Sequence, residues 1–255
     1  MTAASKERGN GKHIQSASPE EIANFSAMAA DWWNPDGKFR PLHQLNPVRI
    51  AYVRDSVIDC LGLDPHADQP LSGLRLIDIG CGGGLLAEPM ARLGATVTAI
   101  DASEESVRIA ETHAAQGELA IEYRCALPED LVNEGQSFDV VLNMEIVEHV
   151  SDIDTFFAAA TGLLKPGGVT VVATLNRTLK SLALAKVGAE YVLRWLPVGT
   201  HDWRKFVRPS ELCDALQRHG VDVRDREGVE YNPLTGHWRK TNDLAVNYMV
   251  VGMKR

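Results

Sequence analysis

The sequence predicts an α/β fold: a mostly parallel sheet covered by helices on both faces, ending in an antiparallel hairpin. Three observations carry this. From Leu74 onward, short apolar runs alternate with helical segments, the pattern of strands joined by crossover helices. A glycine-rich turn, IDIGCGGG (Ile77–Gly84), sits between the first such strand and its helix. The C-terminal segment loses the alternation: two β-rich runs flank a turn containing Asn232, Pro233 and Gly236.

The elements follow in order. Residues 1–19 are polar and small, with no apolar core of a signal peptide and no Arg-rich amphipathic pattern, so they are read as a mobile tail. Residues 20–255 are read as one domain. EEIANFSAMAADWW is a helix, with Ser18 as its N-cap, Pro19 at its first position and Glu21 completing a capping box. Asn34–Pro47 is turn-rich and expected to be loop. PVRIAYVRDSVIDCLG is a helix stopped by Gly62. LRLIDIG, ATVTAID, LAIEYRC, FDVVLNM and GGVTVVATLN are successive strands. LLAEPMARLG and ASEESVRIAETHAAQG are helices between them.

The net charge of −8 argues against a nucleic-acid partner, because phosphate binding rests on Lys and Arg. Four cysteines lie apart without CxxC spacing, which predicts no zinc site or disulfide framework and a reducing, cytoplasmic setting. No run of uncharged apolar residues is long enough to span a bilayer.

Two features carry chemistry. Gly80, Gly82, Gly83 and Gly84 let backbone approach a ligand closely, in a GxGxG pattern preceded by Asp78. Asp101 ends the next strand, where an acid accepts hydrogen bonds from both ribose hydroxyls of a nucleoside. The loop lacks the Lys and Ser/Thr of a triphosphate cradle. The second feature is MEIVEHV, Met144–Val150, just after the fourth strand. On a helix, Glu145, Glu148 and His149 would share one face. Two roles are open: ligands for a divalent cation, or His149 as general base with a neighbouring acid orienting its ring. Carboxylates with one imidazole suit Mg²⁺ or Zn²⁺.

DIGCGGG, the strand ending at Asp101, FDVVLNMEIVEHV and LLKPGGVTVVATLNR resemble, in order, the motifs of the class I S-adenosylmethionine-dependent methyltransferases. The resemblance implies a Rossmann-like sheet of seven strands with a reversed C-terminal hairpin. FSAMAADWWNPDGKFRPLHQLNPVRIAY, MEIVEHV, TLNRTLKSLALAKVGAEYVLRWLPVGTHDWRKF and VEYNPLTGHW resemble, more narrowly, the ubiquinone-biosynthesis O-methyltransferases. That resemblance implies S-adenosylmethionine as methyl donor and polyprenylated phenols or catechols as acceptors, with one enzyme serving both O-methylation steps. It implies cofactor contacts at Arg49, Gly80, Asp101 and Met144, to which the glycine-loop reading adds Asp78 and Gly82. It also implies a divalent cation at Glu145, Glu148 and His149. Another catechol or lipid acceptor, or a cofactor-binding scaffold in a quinone-biosynthesis complex, are the competing readings.

The segment from 177 to 206 reads as an insertion over the substrate site. Within it, Ser181–Pro197 places Lys186, Glu190 and Arg194 on one narrow stripe opposite a wide apolar face. This fits either a helix lying on the inner face of the membrane or a core helix with one wet edge. His43, His201 and Asp202 are expected either at the substrate entrance or as surface and capping residues.

Overall fold

The computed structural model describes residues 18–183, 203–232 and 235–255. The predicted membrane-contact segment lies almost wholly outside them, as do His201, Asp202 and nearly all of the N-terminal tail. Among the described residues, no helix is long and apolar enough to cross a membrane.

Among the described residues, eight strands form one sheet in the order β3-β2-β1-β4-β5-β8-β6-β7. The parallel half comprises β1 (Arg75–Ile79), β2 (Thr96–Asp101), β3 (Ile121–Cys125), β4 (Phe138–Met144) and β5 (Leu164–Leu175). Residues on both faces of β1, β2, β4 and β5 are buried, as continuous runs such as VVLN require, whereas in the edge strand β3 Tyr123 alone is buried. Chain order reverses at β1 and β4, which puts a crevice beyond their carboxyl ends.

The C-terminal part is a three-stranded antiparallel extension rather than a hairpin. It consists of β6 (Val221–Asn232), β7 (His237–Thr241) and β8 (Asn247–Lys254). β8 pairs with β5 on one side and β6 on the other. The sheet thus has eight strands, one more than expected, because residues after the 232–236 turn form their own short edge strand before β8.

Helices α1 (Pro19–Met28), α2 (Arg40–Leu61), α3 (Ala87–Arg92) and α4 (Glu104–Gln116) build the walls near the glycine loop. Helix α5 (Pro128–Asn133) follows β3, α6 (Ile153–Gly162) precedes β5, α7 (Leu179–Ser181) follows it and α8 (Pro209–Arg218) leads into β6. One hydrophobic cluster joins α2, α3 and α4 to one sheet face through Val53, Met90, Ala110 and Val140. A second joins α6 and α8 to the other through Phe156, Phe157, Leu212 and Val141.

Two local readings need correction. Helix α2 starts at Arg40, inside the stretch expected to be loop, and continues through Pro47. A proline inside a helix sacrifices one backbone hydrogen bond, at a cost of roughly 3 kcal/mol. Contacts on that turn offset it: Leu45 is buried, and Asn46 Nδ2 donates to the Leu85 carbonyl at 2.7 Å. At α1, Pro19 does occupy the first turn, but the Ser18 side chain makes no capping hydrogen bond. Glu21 does not close a capping box either; its carboxylate points to other elements, described next.

Candidate active site

A cavity of about 210 Å³ opens beyond the carboxyl ends of β1, β2 and β4. Arg49, Asp78, Gly80, Gly82, Asp101, Met144, Glu145, Glu148 and His149 all line it. Every residue expected from the sequence to bind cofactor, hold metal or carry the chemistry therefore borders one space.

The glycine loop forms its floor. Gly80 and Cys81 donate to the Ile100 carbonyl at 2.8 and 3.0 Å, which ties the loop to β2. Gly82 has φ +53, and a Cβ there would meet the Trp32 ring at 2.3 Å. Trp32 itself is locked. It stacks on Phe39 with centroids 3.7 Å apart, and its Nε1 donates to Ser106 Oγ at 3.2 Å. Trp33 Nε1 donates to the Gly83 carbonyl at 2.8 Å, and its ring stacks on His113. His43 donates through Nε2 to the Trp32 carbonyl at 2.8 Å, so it braces this segment and does not line the cavity.

Asp101 serves the loop before it serves any ligand. Its Oδ2 accepts from the Gly82 N–H at 2.9 Å and its Oδ1 from the Ser103 N–H at 2.8 Å. A carboxylate has about four acceptor positions, so lone pairs remain on both oxygens.

Arg49 and Asp78 are different. Arg49 is 4% exposed and Asp78 2%. Arg49 Nη2 donates to Asn46 Oδ1 at 2.8 Å, but its Nε has no hydrogen-bond partner, nor has Asp78 Oδ2. Leaving such groups buried and unmatched costs about 1–3 kcal/mol each. Burial pushes Asp78 up to about 7, against the opposing pull of Arg49. Burial likewise lowers the Arg49 guanidinium, partly countered by Glu145 and Asp78. A donor and an acceptor thus remain unsatisfied on two residues that line the same cavity.

MEIVEHV is not an α-helix. Strand β4 runs through Met144, Glu145 adopts φ +59, and only Val147–His149 form a single 3₁₀ turn. The shared helical face therefore does not exist. Glu145 and Glu148 still lie close enough to interact: burial, with the Glu148 charge beside it, raises the Glu145 pKa to about 8. Glu148 is 3% exposed and accepts from Thr174 Oγ1 at 2.6 Å. His149 turns to Glu21 instead, with Nδ1 3.2 Å from Glu21 Oε2. Among the described residues, no three His, Cys, Asp or Glu side chains converge as a metal-ligand set. The carboxylate pair fits a hard cation, while His149 stands apart from it on Glu21.

Sequence reasoning missed Glu21 and Trp32 as parts of the site. Glu21 Oε1 also accepts from Lys205 Nζ at 2.7 Å. Its contacts lie 128 and 184 positions away in the chain, beyond any local spacing rule.

Residues 77–172 match a family model described as a methyltransferase domain. The ubiquinone biosynthesis O-methyltransferase of Mesorhizobium japonicum is 56% identical over 234 residues, covering 92% of this chain and 94% of that one. The protein of that name from Brucella anthropi is 56% identical over 91% of this chain and 93% of its own length. Among solved structures, the magnesium protoporphyrin IX methyltransferase of Synechocystis, with bound S-adenosylhomocysteine, superposes with a TM-score of 0.65 at 18% identity. It covers 92% of this chain and 98% of its own. At that identity the likeness speaks for the fold alone.

Proposed function

This chain belongs to the ubiquinone biosynthesis O-methyltransferase family, and from that premise we propose that its acceptors are phenolic hydroxyls of polyprenylated ubiquinone precursors, at both O-methylation steps. It is an S-adenosylmethionine-dependent O-methyltransferase of ubiquinone biosynthesis. Residues 20–255 act as one catalytic domain. It works in the cytoplasm, in peripheral contact with the membrane that holds the substrate and within reach of a quinone-biosynthesis complex.

The observation that carries the site assignment is the unmatched pair in the cavity, Arg49 Nε and Asp78 Oδ2. An amino-acid terminus satisfies both: its carboxylate takes the guanidinium and its ammonium takes Asp78. Gly80 and Gly82 line the same cavity, Asp101 keeps lone pairs that would take ribose hydroxyls, and Met144 would pack beside the base. Bound there, S-adenosylmethionine supplies an electrophilic methyl group on a sulfonium sulfur.

The chain's own work is alignment and proton removal. His149 lines the same cavity and takes the phenolic proton, leaving the acceptor oxygen to bond the methyl carbon as the carbon–sulfur bond breaks. The products are the methyl ether and S-adenosylhomocysteine. Glu145 and Glu148 face the acceptor side as two carboxylates with one position for a proton or cation. Glu145 and Glu148 would hold a divalent cation, Mg²⁺ or Zn²⁺, which would supply Lewis-acid chemistry to the acceptor oxygens.

The test is methyl transfer from labelled S-adenosylmethionine to a catechol analogue carrying a short prenyl chain, with and without chelator. Methylated catechol is expected. Calorimetric cofactor binding with no product from any phenolic acceptor would replace this reading with that of a scaffold.

A further inference from the structure

Glu88, in the first turn of α3, takes no part in the proposed chemistry, yet it is only 2% exposed. A carboxyl group so deeply buried persists where partners meet it. Its Oε2 accepts from Arg92 Nη2 at 3.1 Å, one turn along the same helix. Its Oε1 lies 2.6 Å from Nδ1 of His113, in the last turn of α4. The Arg92 side chain is largely exposed, so His113 is the more enclosed of the two partners.

The His113 ring lies flat on Trp33, with centroids 3.4 Å apart and planes 4° from parallel. The same indole reaches the glycine loop, where Nε1 donates to the Gly83 carbonyl at 2.8 Å. That carbonyl belongs to the peptide joining Gly83 to Gly84, whose N–H closes the turn on the Cys81 carbonyl at 2.9 Å. The neighbouring Gly82 N–H is the one that Asp101 holds. Glycine backbone is the least restricted in the chain, so a run of three keeps its shape through bonds supplied from outside it. Trp32 lines the cavity, whereas Trp33, His113 and Glu88 do not.

We infer that Trp33 and His113 are positioning residues for the cofactor: from outside the cavity, this stacked pair, anchored on Glu88, holds the peptide between Gly83 and Gly84 and so presets the loop against which the cofactor binds. The inference rests on the proposed reading of this cavity as the cofactor site. A loose glycine loop has to be ordered at the moment of binding, and that ordering is subtracted from affinity. A loop held in advance costs its ligand less. None of the three side chains borders the reacting space, so the effect falls on cofactor affinity and not on the chemical step.

The experiment uses Trp33→Phe, His113→Ala and the double variant in the full chain. Trp33→Phe keeps a ring for the stack and loses the hydrogen bond to Gly83, whereas His113→Ala loses the stack. Titration calorimetry with S-adenosylhomocysteine is expected to show Kd raised about 3–10-fold in each single variant, the size of one lost hydrogen bond. The double variant should lose no more than the weaker-binding single one, because both changes act through one contact. With a catechol acceptor, KM for S-adenosylmethionine should rise in parallel while kcat stays within about twofold of wild type. A second readout needs no cofactor. In ¹⁵N-labelled protein the Trp33 indole N–H, assigned by its disappearance in Trp33→Phe, is protected from hydrogen exchange, and His113→Ala loses that protection. An unchanged Kd in Trp33→Phe, additive losses in the double variant, kcat falling in step with affinity, or indole protection that ignores His113 each overturns the inference. A lowered melting temperature with Kd unmoved also overturns it, since the stack then serves the fold alone. If wild type binds no S-adenosylhomocysteine, the proposed site falls instead, and the indole exchange still decides whether His113 holds Trp33.

Discussion

On the proposed reading, in which Asp78 meets the cofactor's ammonium, cofactor binding depends on pH. In the ligand-free protein the Asp78 pKa is raised to about 7, whereas in the unfolded chain it sits near the ordinary carboxylate value. The folded state therefore holds an extra proton between those values. Its stability falls as pH rises through that window, at most about 1.4 kcal/mol per unit. An ammonium placed against Asp78, as proposed, prefers the ionised form, so the Kd for S-adenosylhomocysteine should tighten as pH climbs from about 6 to about 8. Titration calorimetry across that range checks this, and Asp78→Asn should abolish the slope. Glu145 carries the opposite bargain. It is a non-glycine residue at φ +59, beside a second carboxylate. Glu145→Gly should relieve about 1–2 kcal/mol of backbone strain and raise the melting temperature by a few degrees, while methyl transfer drops. A melting temperature that falls would mean the carboxylate pair stabilises the fold, contrary to this account.

At the scale of elements, the glycine loop and the Trp32 segment are fitted to one another. Gly82→Ala brings a Cβ to 2.3 Å from a ring that Phe39 and Ser106 hold on its other sides. Overpacking of this kind costs about 1–3 kcal/mol, and positive φ adds to it. Chemical denaturation should show that loss, with cofactor affinity falling in parallel. The strands were legible in the sequence because their burial on both faces leaves unbroken apolar runs, as in FDVVLN and VTVVATL. So was the glycine loop, whose residue type follows from its turn. The turn at Glu145 was not, since a left-handed glutamate contradicts its own local preference and is held by β4 and β5 around it: the Glu145 N–H donates to the Ala173 carbonyl at 2.9 Å. The part of α2 before Pro47 was not legible either: Pro41 sits in its first turn, where proline is tolerated, and buried contacts outweigh the breaker at Pro47. Glu21 reads locally as a capping residue, and only the packing of α1 against residues far along the chain makes it part of the site.

For the molecule as a whole, the methyltransferase core and its N-terminal cover are separable. Deleting residues 1–28 removes α1, which contributes no buried side chain, so cooperative unfolding of the sheet should persist. Turnover should collapse, because Glu21, Phe25 and Met28 leave the cavity wall. Circular dichroism with a turnover assay on the same preparation separates the two effects. The opposite end of the fold behaves otherwise. β8 is the last strand in sequence, yet it lies inside the sheet, bonded to β5 and β6 together. During synthesis the parallel half emerges first, with the edge of β5 unpaired, and β6 and β7 have no place to attach until β8 leaves the ribosome. The nascent chain must therefore wait with an open, apolar strand edge, the kind that recruits neighbouring chains. Chains cut before Asn247 should accumulate as aggregates, so that β8 decides whether everything before it stays in solution.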